Sequence, residues 1–228
     1  MAVAADFLYL RLLIDRAVVK GPVLEIGSRA WQGEESGNAH SLCKAAGLDW
    51  EGTDIVEGPG VDFVMDVLDP ASVAAVGRQW PAVLLFNLLE HVYDPIRALE
   101  HAVGLVAPGG VMVVVGPAVW QLHDYPKDYW RPMPDFFLEF GERHGHEVPV
   151  DLMMWLVEEQ AIPVSRFSLE NQKQLPCISR PGVFEVWGRR RAYWSRGAHL
   201  LLRTFGRQTQ FPHSGLGLVI RKAGQAAG

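Results

Sequence analysis

The chain has little cysteine, no long apolar run and a deficit of positive charge, and each shortage excludes something. Only two cysteines occur in 228 residues, Cys43 and Cys177, and no CxxC pair exists. A disulfide-stapled scaffold and the paired-thiol zinc and redox motifs are therefore excluded. No unbroken apolar stretch approaches the ~20 residues that a membrane helix needs. The first residues do not read as a secretory leader, because Asp6, Arg11 and Asp15 interrupt their apolar residues. The expectation is a soluble cytoplasmic protein with reduced thiols and no membrane partner. Lys plus Arg number 21 against 26 Asp plus Glu, a formal charge of −5. Nucleic acid is not the favoured partner of such a surface. Internal repeats and low-complexity linkers are also lacking, and only residues 223–228 read as a frayed tail.

What is present suits one sizeable core: 49% of residues are hydrophobic and 21% charged. Residues 6–19 read as an amphipathic helix with Phe7, Leu10, Ile14 and Val18 on one stripe, packed on its own domain. Short apolar runs then alternate with helical patterns. Strands are expected at 23–26, 50–55, 61–65, 83–87 and 111–115, with helices at 39–46, 70–79 and 95–106 between them. Asp69 before Pro70 has the form of an N-cap and first helical residue. Beyond Pro117 the pattern loosens, with helices expected at 135–144 and 150–160, a strand at 163–169 and a last apolar run at 216–220. Continuous apolar strands separated by helices specify a mostly parallel sheet covered on both faces. The expected fold is a doubly wound, Rossmann-like α/β domain with a seven-stranded sheet and inserted segments capping a substrate. It divides into an N-terminal helix (1–20), a cofactor-binding half (21–117), substrate-binding or lid segments (118–215) and a last strand (216–222).

In such sheets ligands bind beyond the carboxyl ends of the strands, where the strand order reverses. The residues at those exits are Gly27, Asp54, Asp66 and Asn87. A glycine after the first strand and an acid after the second describe an adenosine site: the glycine lets the backbone approach, and the carboxylate accepts ribose hydroxyls. From Gly27 the chain reads Gly27-Ser28-Arg29-Ala30-Trp31-Gln32, so the GxGxxG dinucleotide fingerprint is missing, as is the P-loop. An adenosine ligand without a phosphate cradle fits better.

The segments VLEIG (23–27), GTDI (52–55), GPGVDFVMDV (58–67), FNLLEHVYDP (86–95) and APGGVMVVVGP (107–117) stand in the order found in class I S-adenosylmethionine-dependent methyltransferases. The sequence resembles their small-molecule type 11 and type 23 group over roughly residues 20–135. The resemblance implies S-adenosyl-L-methionine as cofactor and S-adenosyl-L-homocysteine as product. It implies that Glu25, Gly27 and Ser28 hold the methionine end, Asp54 and Ile55 the ribose, Asp66 and Val67 the adenine, and Asn87 and Leu88 the sulfonium end. Glu90-His91 resembles a recurrent pair after the fourth strand. The stretches His123-Asp124-Tyr125-Pro126 and Tyr129-Trp130-Arg131 resemble a loop at the substrate mouth. One departure is Arg29, which stands where the family's first loop often has a second glycine.

His123 and His91 are the candidate proton-handling residues, because imidazole titrates near neutrality, with Tyr125 as a further candidate. Trp120, Asp124, Tyr129, Trp130, Arg131 and Trp155 are the candidate acceptor-binding residues. His144-Gly145-His146-Glu147 reads as a solvated helix end, so no metal is expected. Arg189-Arg190-Arg191 with Tyr193, Trp194 and Arg196 reads as an exposed helix start or subunit contact. Five of the eight tryptophans lie from Trp120 onward, which fits an apolar acceptor pocket or an interface in a monomer or homodimer. Three functional readings follow. The first is methyl transfer to an O or N acceptor on a small molecule such as a natural product, sugar or aromatic metabolite. The second is a non-catalytic S-adenosylmethionine-binding or partner-binding protein. The third, a nicotinamide oxidoreductase, is disfavoured by the missing glycines.

Overall fold

The computed structural model describes residues 4–30, 39–120, 122–123, 127–157, 160–164 and 214–224. In chain order the elements are α1 (Ala4–Asp15), β1 (Val23–Ile26), α2 (Ala39–Ala45), β2 (Trp50–Asp54), β3 (Phe63–Val64), α3 (Pro70–Ala75) and β4 (Trp80–Phe86). Then follow α4 (Pro95–Gly104), β5 (Val106–Val119), α5 (Pro134–His144), β6 (Met154–Val157), β7 (Gln160–Pro163) and β8 (Ser214–Arg221). Single 3₁₀ turns occupy Leu89–His91 and Val150–Leu152.

The strands form one sheet in the order β3-β2-β1-β4-β5-β8-β6-β7. The five strands from β3 to β5 run parallel, β8 is antiparallel between β5 and β6, and β7 closes a hairpin on β6. The class matches the doubly wound expectation, with eight strands instead of seven. Strands β6 and β7 fall within 154–163, where the sequence predicts a helix over 150–160 and a strand starting at 163; residues 165–169 of that strand lie outside the described residues. Met153, Met154, Trp155, Leu156 and Val157 are all buried. Such a run satisfies no 3.6-residue stripe and suits a strand covered on both faces. Its backbone pairs with β8 on one side and β7 on the other.

The central strands are apolar because both faces are covered. Ala82, Val83, Leu84 and Leu85 are fully buried, and so are Met112 and Val113. Each buried Leu or Val contributes roughly 1.5–3 kcal/mol by leaving water. Asp69 and Asp94 cap α3 and α4 by accepting from Ala71 N and Arg97 N, and each is followed by proline at the first helical position.

Helix α1 is rotated from the expected stripe. Its buried residues are Ala5, Asp6, Tyr9, Leu10 and Leu13, whereas Phe7 and Ile14 are only partly buried, and the helix ends at Asp15. Tyr9 selects this face. Its ring lies on β8, where a Cβ on Gly217 would sit 2.7 Å from the Tyr9 ring, and its hydroxyl donates to Leu152 O at 2.6 Å. Among the described residues no helix is long and apolar enough to cross a membrane. The expectations for Cys177, Trp187, Trp194, the basic run at 189–196 and the segment 183–211 lie outside the described residues.

Candidate functional site

Strand β1 pairs with β2 on one side and β4 on the other, all parallel. The chain winds outward from β1 to β3 and then crosses to β4, so the order reverses between β1 and β4. The carboxyl ends of these two strands therefore flank the switch point, the place where ligands bind in such sheets.

On the β1 side, Gly27 has φ +82° and a Cβ there would sit 3.1 Å from Leu88 Cδ1. A side chain would therefore both strain the backbone and fill the gap between the two strand exits. Ser28 Oγ donates to Gly60 O at 2.7 Å and ties the 58–60 loop to the end of β1. Asp54 ends β2. Its carboxylate accepts from Arg29 N at 3.4 Å and Val56 N at 3.3 Å, both long, and Ile55 beside it is 62% exposed. The carboxylate thus keeps acceptor capacity for another donor. Asp66 Oδ1 accepts from Leu68 N at 2.8 Å in a local turn, and Val67 is buried beside it. Glu25 Oε2 accepts from the indole N–H of Trp50 at 3.0 Å. Burial pushes the Glu25 carboxyl up to about 7.

On the β4 side, Asn87 takes the left-handed conformation at φ 51°, which asparagine tolerates better than most residues. Its amide donates to Asp6 Oδ2 of α1 at 3.1 Å. Leu88 leads into the 3₁₀ turn that carries Glu90 and His91. Glu90 is 1% exposed and its Oε2 has no hydrogen-bond partner; burial pushes its carboxyl up to about 7. Burial lowers the His91 imidazole. His91 Nδ1 lies 2.7 Å from Lys127 O. A carbonyl only accepts, so Nδ1 carries the hydrogen and Nε2 the lone pair.

His123 meets this turn from above: its ring centroid is 5.0 Å from that of His91, edge to face. Asp128 supports it, accepting from His123 N at 3.1 Å. Asp128 is also paired with Arg131, whose guanidinium holds its carboxyl well below the usual carboxylate range. Tyr129 N donates to Glu90 O at 2.7 Å, clamping the 127–131 segment onto the turn. Asp6, Asn87, Glu90, Pro117, Trp120, His123 and Gly215 line a narrow cleft of about 10 Å³.

Several sequence-predicted residues are therefore brought together: Asn87, Trp120 and His123 in the cleft, and His91 against it. Tyr129 and Trp130 are 41% and 43% exposed, with the Trp130 indole donating to Tyr93 O. Trp155 sits in β6, opposite Ile162 and Leu216, and is 8% exposed. Asp124 and Tyr125 lie outside the described residues. The sequence reading missed Asp6, Asp128 and Gly215 and gave Glu90 no role. The one available signal was Asp6 itself, an acid among the apolar residues of the first turns of α1.

A family described as a methyltransferase domain matches residues 4–160. No curated protein matches the chain. Among solved structures, a SAM-dependent methyltransferase from Archaeoglobus fulgidus is similar at 16% identity and a TM-score of 0.54, over 96% of this chain and 94% of that one. The [4+2]-cyclase SpnF is similar at 16% identity and a TM-score of 0.51, over 94% and 81%. A structure described for conversion of a disulfide bond into a thioacetal group during echinomycin biosynthesis is similar at 13% identity and 0.51, over 96% and 83%. At these identities the likeness is one of fold.

Proposed function

The chain belongs to the methyltransferase-domain family, with the class I S-adenosylmethionine-dependent fold, and we propose that it methylates an oxygen or nitrogen atom of a small molecule. The observation that carries this reading is the reversal of strand order between β1 and β4, with Gly27 at one exit, Asn87 and Leu88 at the other, and the Asp54 carboxylate at the neighbouring exit. These residues fit S-adenosylmethionine: a Cβ on Gly27 would fill the space next to Leu88, and Asp54 has acceptor capacity to spare. Asp54 binds the ribose hydroxyls with Ile55 beside it, and Asp66 and Val67 flank the adenine. Glu25, Gly27 and Ser28 shape the methionine end, and Asn87 and Leu88 line the sulfonium end. When bound, the cofactor supplies an activated methyl group on sulfur, so positioning of the acceptor supplies much of the rate.

His123 and His91 orient the acceptor and take up its proton. The free lone pair of His91 Nε2 and the lowered basicity of its ring suit a group that is neutral at pH 7. Trp120, Tyr129, Trp130, Arg131 and Trp155 form the acceptor side, and Asp124 and Tyr125, outside the described residues, are assigned to it by the sequence alone.

The second reading is a protein of this fold that binds S-adenosylmethionine without transferring its methyl group. It is favoured by Arg29 in the first loop and by a fold neighbour named for a cyclisation. Isothermal titration with S-adenosylhomocysteine and NAD, followed by transfer of labelled methyl to a metabolite panel, separates the readings. Micromolar or tighter binding of S-adenosylhomocysteine, no NAD binding and labelled product are expected. Binding without product on any acceptor favours the second reading, and NAD binding overturns both.

A further inference from the structure

Among the described residues, one group of His, Cys, Asp and Glu side chains offers ligand atoms that all lie within 4.8 Å of one another: Glu90, His91 and His123. Two histidines and one carboxylate are a donor set for a divalent first-row transition metal, leaving positions open for water or substrate.

Three independent features point the same way. The Glu90 carboxylate is 1% exposed, yet its Oε2 lacks a hydrogen-bond partner, which is rare for a buried charged oxygen. His91 Nδ1 is held by Lys127 O at 2.7 Å, which leaves Nε2, 3.9 Å from Glu90 Oε1, as the lone pair of that ring. His123 Nδ1 lies 3.0 Å from Asp128 Oδ2 without the geometry of a hydrogen bond, a buried ring nitrogen with no hydrogen-bond partner. Metal-binding histidines typically give their other ring nitrogen to a carbonyl or a carboxylate, as His91 does to Lys127 O. The nearby Arg131 charge is matched by Asp128, so it does not oppose a cation by itself.

We propose that Glu90, His91 and His123 bind a divalent ion of the zinc, iron(II) or cobalt(II) class, with an open position facing the cleft lined by Asn87 and Trp120. Ligands at ~2.1 Å from a tetrahedral ion stand about 3.4 Å apart, so the three side chains close by roughly 1 Å through rotation. The ion holds an oxygen or nitrogen ligand at the mouth of the cleft, and in that form the imidazoles hold metal instead of a proton. The site stands on its own geometry and is independent of which acceptor is methylated.

Tag-free protein stripped with chelator is titrated with Zn²⁺ by calorimetry and with Co²⁺ by visible absorption and proton NMR. One ion per chain at micromolar affinity or tighter is expected. The Co²⁺ form should show a strongly shifted imidazole N–H signal from His91 Nδ1–H, held by Lys127 O. Glu90→Gln, which preserves shape, and His123→Ala should each weaken binding at least tenfold, while His144→Ala leaves it unchanged. Dissociation constants weaker than ~1 mM, absence of the shifted imidazole signal, or an affinity untouched by either site substitution overturns the proposal. The NMR signal reads the His91 ligand in the unsubstituted protein, so the test holds even if a variant does not fold.

Discussion

Replacing Asp54 with alanine separates binding from folding. In the fold its carboxylate makes two backbone contacts, at 3.4 Å and 3.3 Å, in a partly exposed position. Hydrogen bonds of ordinary length contribute about 0.5–1.5 kcal/mol each, and bonds this long fall at the low end. The loss of stability should stay near ~1 kcal/mol, a fall in Tm of about 2–4 °C for a chain of this size. The ligand side is different. A ribose diol donates two charge-assisted hydrogen bonds to a carboxylate, nominally about 1.5–3 kcal/mol each. Competition from water at this partly exposed site reduces the pair to roughly 1.4–2.7 kcal/mol, a ten- to hundredfold weaker Kd. Calorimetry with S-adenosylhomocysteine reads the affinity, and a thermal melt of the free protein reads the fold. A Kd within twofold of the unsubstituted protein would refute the ribose assignment. Asp54→Asn, which keeps an acceptor oxygen and loses the charge, should fall between the two.

Glu25 predicts a pH dependence. Its carboxyl is raised from 4.5 to about 7, so between these values the native state holds a proton that the unfolded chain releases. Its contribution is complete below pH 4.5 and is lost as pH rises through 7. Glu25→Gln keeps the bond from Trp50 and should gain on the unsubstituted protein between pH 5 and pH 8 in urea midpoints; parallel profiles would refute the shift. Tyr9→Phe leaves Leu152 O buried without its donor, costing about 1–3 kcal/mol in denaturant unfolding with an unchanged slope. Gly27→Ala places a Cβ at φ +82°, costing about 1–2 kcal/mol, and should also weaken S-adenosylhomocysteine binding by crowding Leu88. A normal Kd in that variant would show that the ligand does not approach this turn.

The legible part of the fold was the part whose signals are local. Strand β1 is apolar and closed by a glycine, and its expected and observed bounds agree at Val23–Ile26. The aspartates at positions 69 and 94 announced two helix starts through their own backbone bonds. Residues 150–163 were illegible, because a continuous apolar run has no period that tells helix from strand. The free edge of β8 decided the outcome. The face of α1 was misread for a related reason. Tyr9 and Asp6 point inward because of Gly217 and Asn87, and nothing within the helix records those partners.

The amino-acid sequence by itself determined the doubly wound class and the strand exits at Gly27, Asp54, Asp66 and Asn87. Apolar runs, glycines and terminal acids act over a few neighbouring residues. Only the tertiary structure decided that Glu90, His91 and His123 converge, that Lys127 O orients the His91 imidazole, and that Asp6 closes the same cleft from the first helix. Those meetings join residues up to 81 positions apart, as between Asp6 and Asn87, and packing of a whole sheet is what brings them within bonding distance.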